Sequence, residues 1–435
     1  MSQSYNALEG TLNVRGTATA SRAGTTNAVA IVGGYDSEGA ANEVAENEST
    51  IISDPSSADD VFGASELSRV VPSIAANGIQ TVYGVPIPET QNTESISSGT
   101  TITLTETPFD PNLHPDHDIT VTDTDASTDL TVNIVYEDPL PSPSEENTAN
   151  VNPHTNNVEV DASGNYDIDY THGEYADAIS TAVDLPVRSV AVCTEDASVK
   201  TILQTELANV AADFDFKRGF VGASPNIQSS DIIDYTPDVE DWRVVEVAPS
   251  RGTGSGGAMR TVGVVAGFMS SQPLGPDGSG LYDSVGGLVD LATQYRPSES
   301  KNFDQVTSIT RNGVVGTAQT TSATGQFKEI YKAEVIDEIA LGLFGPMRDY
   351  AGGPQDISDL QSIIGARLQD FSSGNPPLLG FADGSDGVPY SVSASLSSGG
   401  DVANVGVSIV PYPIAKEVNL DLTVTDGFVQ FNGAN

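Results

Sequence analysis

Bases are scarce in this 435-residue chain: 6 Lys and 12 Arg stand against 37 Asp and 23 Glu, for a formal charge of −42. A surface of that sign offers no basic face to the phosphates of a nucleic acid or to an anionic membrane. Cysteine is nearly missing as well. Cys193 alone closes no intramolecular disulfide and excludes a metal site built from several thiolates. No apolar run approaches the ~20 residues that span a bilayer. The opening MSQSYNALEG has neither a basic nor an apolar stretch, so no secretory leader is expected, and the chain reads as one made and folded in the cytosol.

What is present is a foldable, turn-rich chain, with 38% hydrophobic residues and 42 Gly, long enough for two or three domains. The acids run along the whole sequence and Lys is avoided. That balance suits molar salt, where a Debye length of about 3 Å screens self-repulsion. Residues 11–20, TLNVRGTATA, alternate without error and predict a half-buried strand near the N-terminus. AVAIV at 28–32 is apolar throughout and predicts a central strand. In 62–87, Leu67, Val70, Val71 and Ile74 recur at helical spacing, Ser65 caps the start, Asn77-Gly78 stops the helix, and a strand follows through Val85.

Residues 89–187 differ. They hold 20 acids and no Lys or Arg. Their short alternating runs (TTITLTE, HDITVTD, LTVNIVY, NNVEVDA, YDIDYTH) predict a small antiparallel sandwich or barrel inserted into an α/β domain. The α/β pattern then resumes: strands in VRSVAVCT, KRGFVGAS and DWRVVEVAP, a helix over 198–214, another through 261–272, and an Asn-Gly hairpin in TSITRNGVVGTAQT. Two amphipathic helices follow, the first carrying Ile336, Ile339, Ala340 and Leu343, the second Leu360, Ile363, Ile364, Leu368 and Phe371. At the C-terminal end Val402, Val405, Val407 and Ile409 alternate with an irregularity near Asn404, and Val418, Leu420, Leu422 and Val424 alternate cleanly. No internal repeat emerges.

Chemistry finds few candidates. GGYDSEG at 33–39 follows a central strand but lacks the G-x-G-x-x-G spacing and a helix behind it, so a turn is expected. GTGSGGAMR at 252–260 has no terminal Lys-Ser/Thr to reach phosphates and magnesium, so a loop is expected. His114, His117, His154 and His172 all fall in the acidic segment, and HPDHD fixes no metal geometry. DTDASTD at 123–129 has calcium-loop spacing without the glycine at position six or the glutamate at twelve. Cys193 sits on an apolar strand as a small hydrophobe. No catalytic, cofactor or metal residue is assigned, and an enzyme is not expected.

In order, these pieces resemble the sheath protein of a contractile tail, as in myovirus-type phages and related injection machines. The resemblance rests on TNAVAIVGGYDSEG, DDVFGASELSRVVPSIAANGIQTVYGVPI, DYTPDVEDWRVVEVAPS, GAMRTVGVVAGFMSSQ and the run from GFADGSDGVPY to EVNLDLTVT. It implies an α/β (α+β) core of tail-sheath type, carrying an inserted antiparallel β domain and exchanged terminal strands. The expected division is 1–24 as N-terminal strand arm, 25–88 and 187–410 as core, 89–186 as acidic β-rich insertion, and 411–435 as C-terminal strand arm. The family's subunits form stacked hexameric rings around an inner tail tube, bounded by baseplate and tail terminator proteins. They contract to drive the tube through a host envelope.

Strand exchange would then be carried by Leu12, Val14 and Ala18 at one end and by Val418, Leu420, Leu422 and Val424 at the other. A helix over 357–371, with Asp359, Arg367 and Asp370, would touch the tube, with the helix over 334–348 as its rival. No cofactor, nucleic acid or inserted membrane is implied. The resemblance and the composition together imply a virion tail assembled in the cytoplasm of a haloarchaeal host, or a tail-derived injection system. The alternatives are a β-rich surface or capsid-decorating protein of a halophile and a halophilic α/β enzyme with a β lid.

Overall fold

The computed structural model describes residues 8–10, 28–36, 40, 44–106, 119–135, 139–153, 155–212, 215–223, 232, 234–251, 260–272, 285–287, 291, 294–300, 302–323, 327–351, 356–374, 377–381, 387–396, 403–411, 420–425 and 428–433. Along the chain, β1 (Leu8–Gly10) precedes β2 (Ala28–Gly33) and β3 (Thr50–Ile52), then α1 (Ala58–Phe62), α2 (Glu66–Ala75) and β4 (Thr81–Pro86). A second sheet follows in β5 (Glu89–Thr103), β6 (Thr120–Asp123), β7 (Thr128–Asp129), β8 (Thr131–Ile134), β9 (Thr148–Asn152) and β10 (Asn157–Gly173). The chain returns through α3 (Ala176–Asp184), β11 (Ser189–Val192), α4 (Ala197–Ala212), β12 (Arg218–Gly222), β13 (Val244–Ala248), α5 (Arg260–Ser271), α6 (Pro297–Ser300), β14 (Thr307–Ile309) and β15 (Val315–Thr317). It ends in α7 (Ile330–Ala351), α8 (Ile357–Ser373), β16 (Tyr390–Leu396), β17 (Ala403–Ile409), β18 (Leu420–Thr425) and β19 (Phe428–Gly433).

The main sheet has the order β15-β14-β13-β12-β11-β2-β4-β3, parallel from β14 to β4 with antiparallel strands at both margins. Helices cover both faces, so the central strands β2, β11, β12 and β13 are fully buried and largely apolar, as AVAIV foretells. One face packs α2 and α5 over Val29, Ile31, Phe220 and Val245; the other packs α3 and α4 over Ala30, Val32, Val190 and Val221. Helix α5 crosses α2 closely because Gly263 and Gly267 lack side chains. A Cβ on Gly267 would lie 2.8 Å from the Ile74 carbonyl oxygen.

Asn77 does more than stop α2. Its amide donates to the carbonyls of Ser73 (3.1 Å), Val264 (3.3 Å) and Gly286 (3.1 Å), and its Oδ1 accepts from the Gly286 N–H (2.8 Å). One side chain thus ties the end of α2 to α5 and to the segment at 286. Gly78 next to it takes φ +83°, a left-handed turn that suits glycine.

The acidic segment forms one six-stranded sheet with its own apolar cluster around Ile96, Val121, Val151, Val158 and Ile168. Two expectations are corrected here. NNVEVDA and YDIDYTH are not separate strands but one, β10, which pairs with β5 along its length across register shifts between Glu159 and Asn165. The sheet is also not wholly antiparallel, since β8 and β9 run parallel. Two antiparallel strands, β5 and β10, join it to the core at Glu89 opposite Gly173. At that root the Glu89 carboxyl is largely shielded from solvent and lies near the like charges of Glu46 and Asp36. Burial first, and then these two like charges, push its pKa up to about 8.

Candidate functional site

In chain order the five central parallel strands read 2-1-3-4-5, a doubly wound arrangement whose order reverses between β2 and β11. Such a sheet binds ligands, where it does, outside the carboxyl ends at that reversal. Here the place is filled by the chain itself. Gly33 approaches Cys193 so closely that a Cβ on it would lie 3.2 Å from the cysteine Cβ. Glu195, beyond β11, is buried and receives the Ser250 hydroxyl and the Arg251 guanidinium, whose Nε is 3.2 Å from each carboxylate oxygen. The start of α2 is spent too. Ser65 and Ser68 cap each other's backbone amides at 3.4 and 3.1 Å, the Leu67 N–H donates to the Gly34 carbonyl, and the Ala64 N–H turns to the Asp36 carboxylate. A phosphate would need those amides.

The remaining motifs resolve in the same way or lie outside the described residues. Asp123 accepts from the N–H groups of Asp125 and Ala126 at 2.9 Å, an Asx turn, while Asp129 accepts from Thr122 at 2.7 Å. His172 lies buried in β10; His114, His117 and His154, and the run 252–259, are outside the described residues.

Among the described residues, a dense charge cluster sits at the opposite, amino ends of the parallel strands. Arg188, Arg218 and Arg243 stand at the starts of β11, β12 and β13, and all three reach one face of α7. Arg188 pairs with Glu334 at 2.7 Å, Arg218 with Asp337 at 3.3 Å, and Arg243 grips both oxygens of Asp337 at 2.9 and 3.2 Å. Arg218 also donates to the Trp242 carbonyl at 2.8 Å. The Arg243 guanidinium lies 4.1 Å from the Trp242 ring centre and 4.7 Å from that of Phe216. Arg218 and Arg243 are buried. A second buried group, Lys200 with Glu246 and Asp238, anchors α4. Burial alone would lower the Lys200 ammonium, but the two carboxylates beside it hold it above its ordinary value.

Helix α7 leads to a C-terminal layer in which α8 lies on the sheet β1-β17-β16. Asp356 caps α8 through the Ser358 N–H at 3.0 Å, and Leu360, Ile364 and Leu368 face inward. Ile363, expected on that face, is 42% exposed, because the packed stripe of α8 is narrow and runs at i, i+4 through Leu360, Ile364 and Leu368. Asp359, Arg367 and Asp370 lie on the solvent side; Arg367 pairs with Asp370 at 3.5 Å and covers the Phe371 ring at 4.9 Å.

The strand β1 runs antiparallel to β17 of the same chain, Leu8 opposite Ile409 and Gly10 opposite Val407. The β16–β17 register is continuous, so the irregularity expected near Asn404 is absent from it. Leu12, Val14, Ala18 and Val418 lie outside the described residues. Leu420, Leu422 and Val424 belong to β18, which pairs with β19 at Leu420↔Gly433, Leu422↔Phe431 and Val424↔Val429. The strand at 428–433 is not among those expected above, although Asp426-Gly427 before it is a strong hairpin signal.

This combination of a doubly wound core, an inserted β sheet and a C-terminal helix-on-sheet layer is shared as a fold with chains of contractile injection-system particles. The chain is similar over 98% of its length to a protein of the PVC sheath complex, an extracellular contractile injection system in its contracted state (99% of that chain, 10% identity, TM-score 0.53). It is likewise similar to a chain of the anti-feeding prophage baseplate (98% of this chain and 100% of that one, 11% identity, TM-score 0.52). A third likeness is to the contracted helical sheath of the anti-feeding prophage (97% and 99%, 12% identity, TM-score 0.50). No protein-family model matches the sequence, and no curated protein matches it.

Proposed function

We propose that this chain is the repeating subunit of a contractile sheath, polymerising as stacked hexameric rings around an inner tube and shortening to drive that tube through an envelope. The observation that carries the reading is a sheath fold shared along nearly the whole chain, at 98% coverage of this protein and 99% of the PVC sheath chain. The filled crevice at the strand reversal supports it, because a subunit that moves by repacking needs a stiff body and no nucleotide. The subunit is a structural element and not an enzyme. Its work comes from an extended packing relaxing to a better one.

In this reading the terminal strands add to sheets of neighbouring subunits through main-chain hydrogen bonds. Leu12, Val14, Ala18, Val418, Leu420, Leu422 and Val424 would seat there. Asp359, Arg367 and Asp370 on the outer side of α8 face the tube, and the acidic sheet of β5–β10 decorates the outside. The particle is a virus tail or a tail-derived injection system, assembled in a salt-rich host cytoplasm with tube, baseplate and terminator proteins.

Deleting residues 1–20 tests this. The reading expects a folded subunit that no longer sediments as polymer in molar salt and does not enter polymers of the full chain. A truncated chain that polymerises as well as the full one would overturn it.

A further inference from the structure

We propose that the cluster of Arg188, Arg218 and Arg243 with Glu334 and Asp337 is the joint that fixes the angle between the doubly wound core and the C-terminal layer of α7, α8, β16 and β17. The inference concerns the free subunit and does not depend on the sheath reading.

Two kinds of contact hold the layer to the core. One is apolar: Ile330, Tyr331, Val335 and Ile339 of α7 join a cluster that runs from the sheet to Leu360 and Ile364 of α8. Apolar burial supplies free energy but little direction, so a helix seated by it alone can slide or roll. The other contact is directional. Glu334 and Asp337 lie three residues apart on one face of α7, and they meet arginines from three adjacent strands. The Arg243–Asp337 pair is bidentate, which sets both distance and plane. Its guanidinium is held by the Trp242 and Phe216 rings, and Arg218 is tied to the Trp242 carbonyl, so neither arginine is free to follow a rolling helix.

Rotation of α7 would strip partners from buried arginines, a cost that grows with every degree of roll. From α7 the constraint passes on. A Cβ on Gly342 would run into the Phe371 ring, so α7 and α8 touch almost backbone to side chain. Gln361 of α8 donates to the Val392 carbonyl of β16 at 2.9 Å, and the Tyr390 hydroxyl donates to Gln369 at 3.0 Å. Buried ion pairs seldom add net stability over apolar groups of like volume, but they can select one arrangement among several. That is the role assigned to this cluster.

The experiment measures the angle as a distance. Thr201→Cys on α4 and Ser362→Cys on α8 are both exposed and take spin labels, whereas the one native cysteine, Cys193, is buried. Electron–electron resonance on the labelled full chain in molar salt should give one narrow distance. Combined replacement Arg218→Met, Arg243→Met and Asp337→Leu removes the buried, bidentate part of the joint at similar volume and leaves only the partly exposed Arg188–Glu334 pair. The melting temperature should stay near that of the parent, and the distance distribution should widen about twofold or more.

Asp337→Asn, which leaves two buried guanidiniums short of charge, should instead lower the melting temperature. A triple variant whose distribution stays as narrow as the parent's would overturn the proposal. So would a parent distribution that is already broad, or a triple variant that loses its whole fold, since the cluster would then be part of core stability and not a joint.

Discussion

Asn77 and Gly286 exchange two hydrogen bonds across 209 residues of sequence, the Gly286 N–H reaching Oδ1 at 2.8 Å and Nδ2 reaching the Gly286 carbonyl at 3.1 Å. Asn77→Ala would leave the Val264 and Gly286 groups without this partner, in a site with no ready substitute. The expected cost is about 2–3 kcal/mol, a named hydrogen-bond loss and not a cavity effect. Chemical denaturation should show a lower midpoint with unchanged slope.

The close crossing of α2 and α5 makes glycine positions unequal. A Cβ on Gly263 would run into Val70 and lie 3.1 Å from Ile74 Cγ1, whereas a Cβ on Gly365 of α8 meets nothing within 4 Å. Gly263→Ala should destabilise by about 1–3 kcal/mol through overpacking. Gly365→Ala should be neutral or stabilise by up to about 1 kcal/mol through helix propensity. Thermal melts of the two variants read the contrast directly, and equal effects would discredit the packing account.

Glu89 sets a pH dependence. Its carboxyl titrates near 4.5 when unfolded and at about 8 when folded. Between those values the unfolded chain releases a proton that the folded chain keeps. Stability therefore falls as pH rises through that window and levels off above it, by an amount on the order of a few kcal/mol. Glu89→Gln should flatten the profile of melting temperature against pH. A parent profile that rises across the same window would contradict the assignment.

Charge sets a salt dependence in which added salt stabilises the fold. Lys200, Lys217, Arg218, Arg243 and Arg251 are withdrawn into pairs with Asp238, Glu246, Asp215, Asp337 and Glu195, so the acidic excess of −42 stays with the remaining, mostly exposed charges. Screening relieves the exposed acids and barely touches the buried pairs. The melting temperature should climb as KCl rises from about 0.1 to about 2 M; calorimetry that found it flat or falling would remove the halophilic reading.

Local signals make most of the core legible, and long-range ones leave little trace. Ser65 is read as a cap because capping is a matter of three residues, and AVAIV as a central strand because burial on both faces leaves no polar position. Asn77 is read only as a stop, since its other partners lie 187 and 209 residues on. The joint left a trace that alternation scoring passes over: VRSVAV, KRGFVG and DWRVVEV each open a buried strand with an arginine, in a chain that has 12. Three such starts side by side require a shared acidic partner, which Glu334 and Asp337 supply. The proposed strand exchange and tube contact are different in kind. Half of each such site would belong to another molecule, so neither one sequence nor one folded chain contains it.

Electron microscopy of the purified protein in multimolar salt, alone and with a candidate tube protein, tests the central claim most directly. The sheath account predicts hollow, six-fold tubes with a regular helical repeat. Dispersed monomers at high concentration, with and without the tube protein, would contradict it.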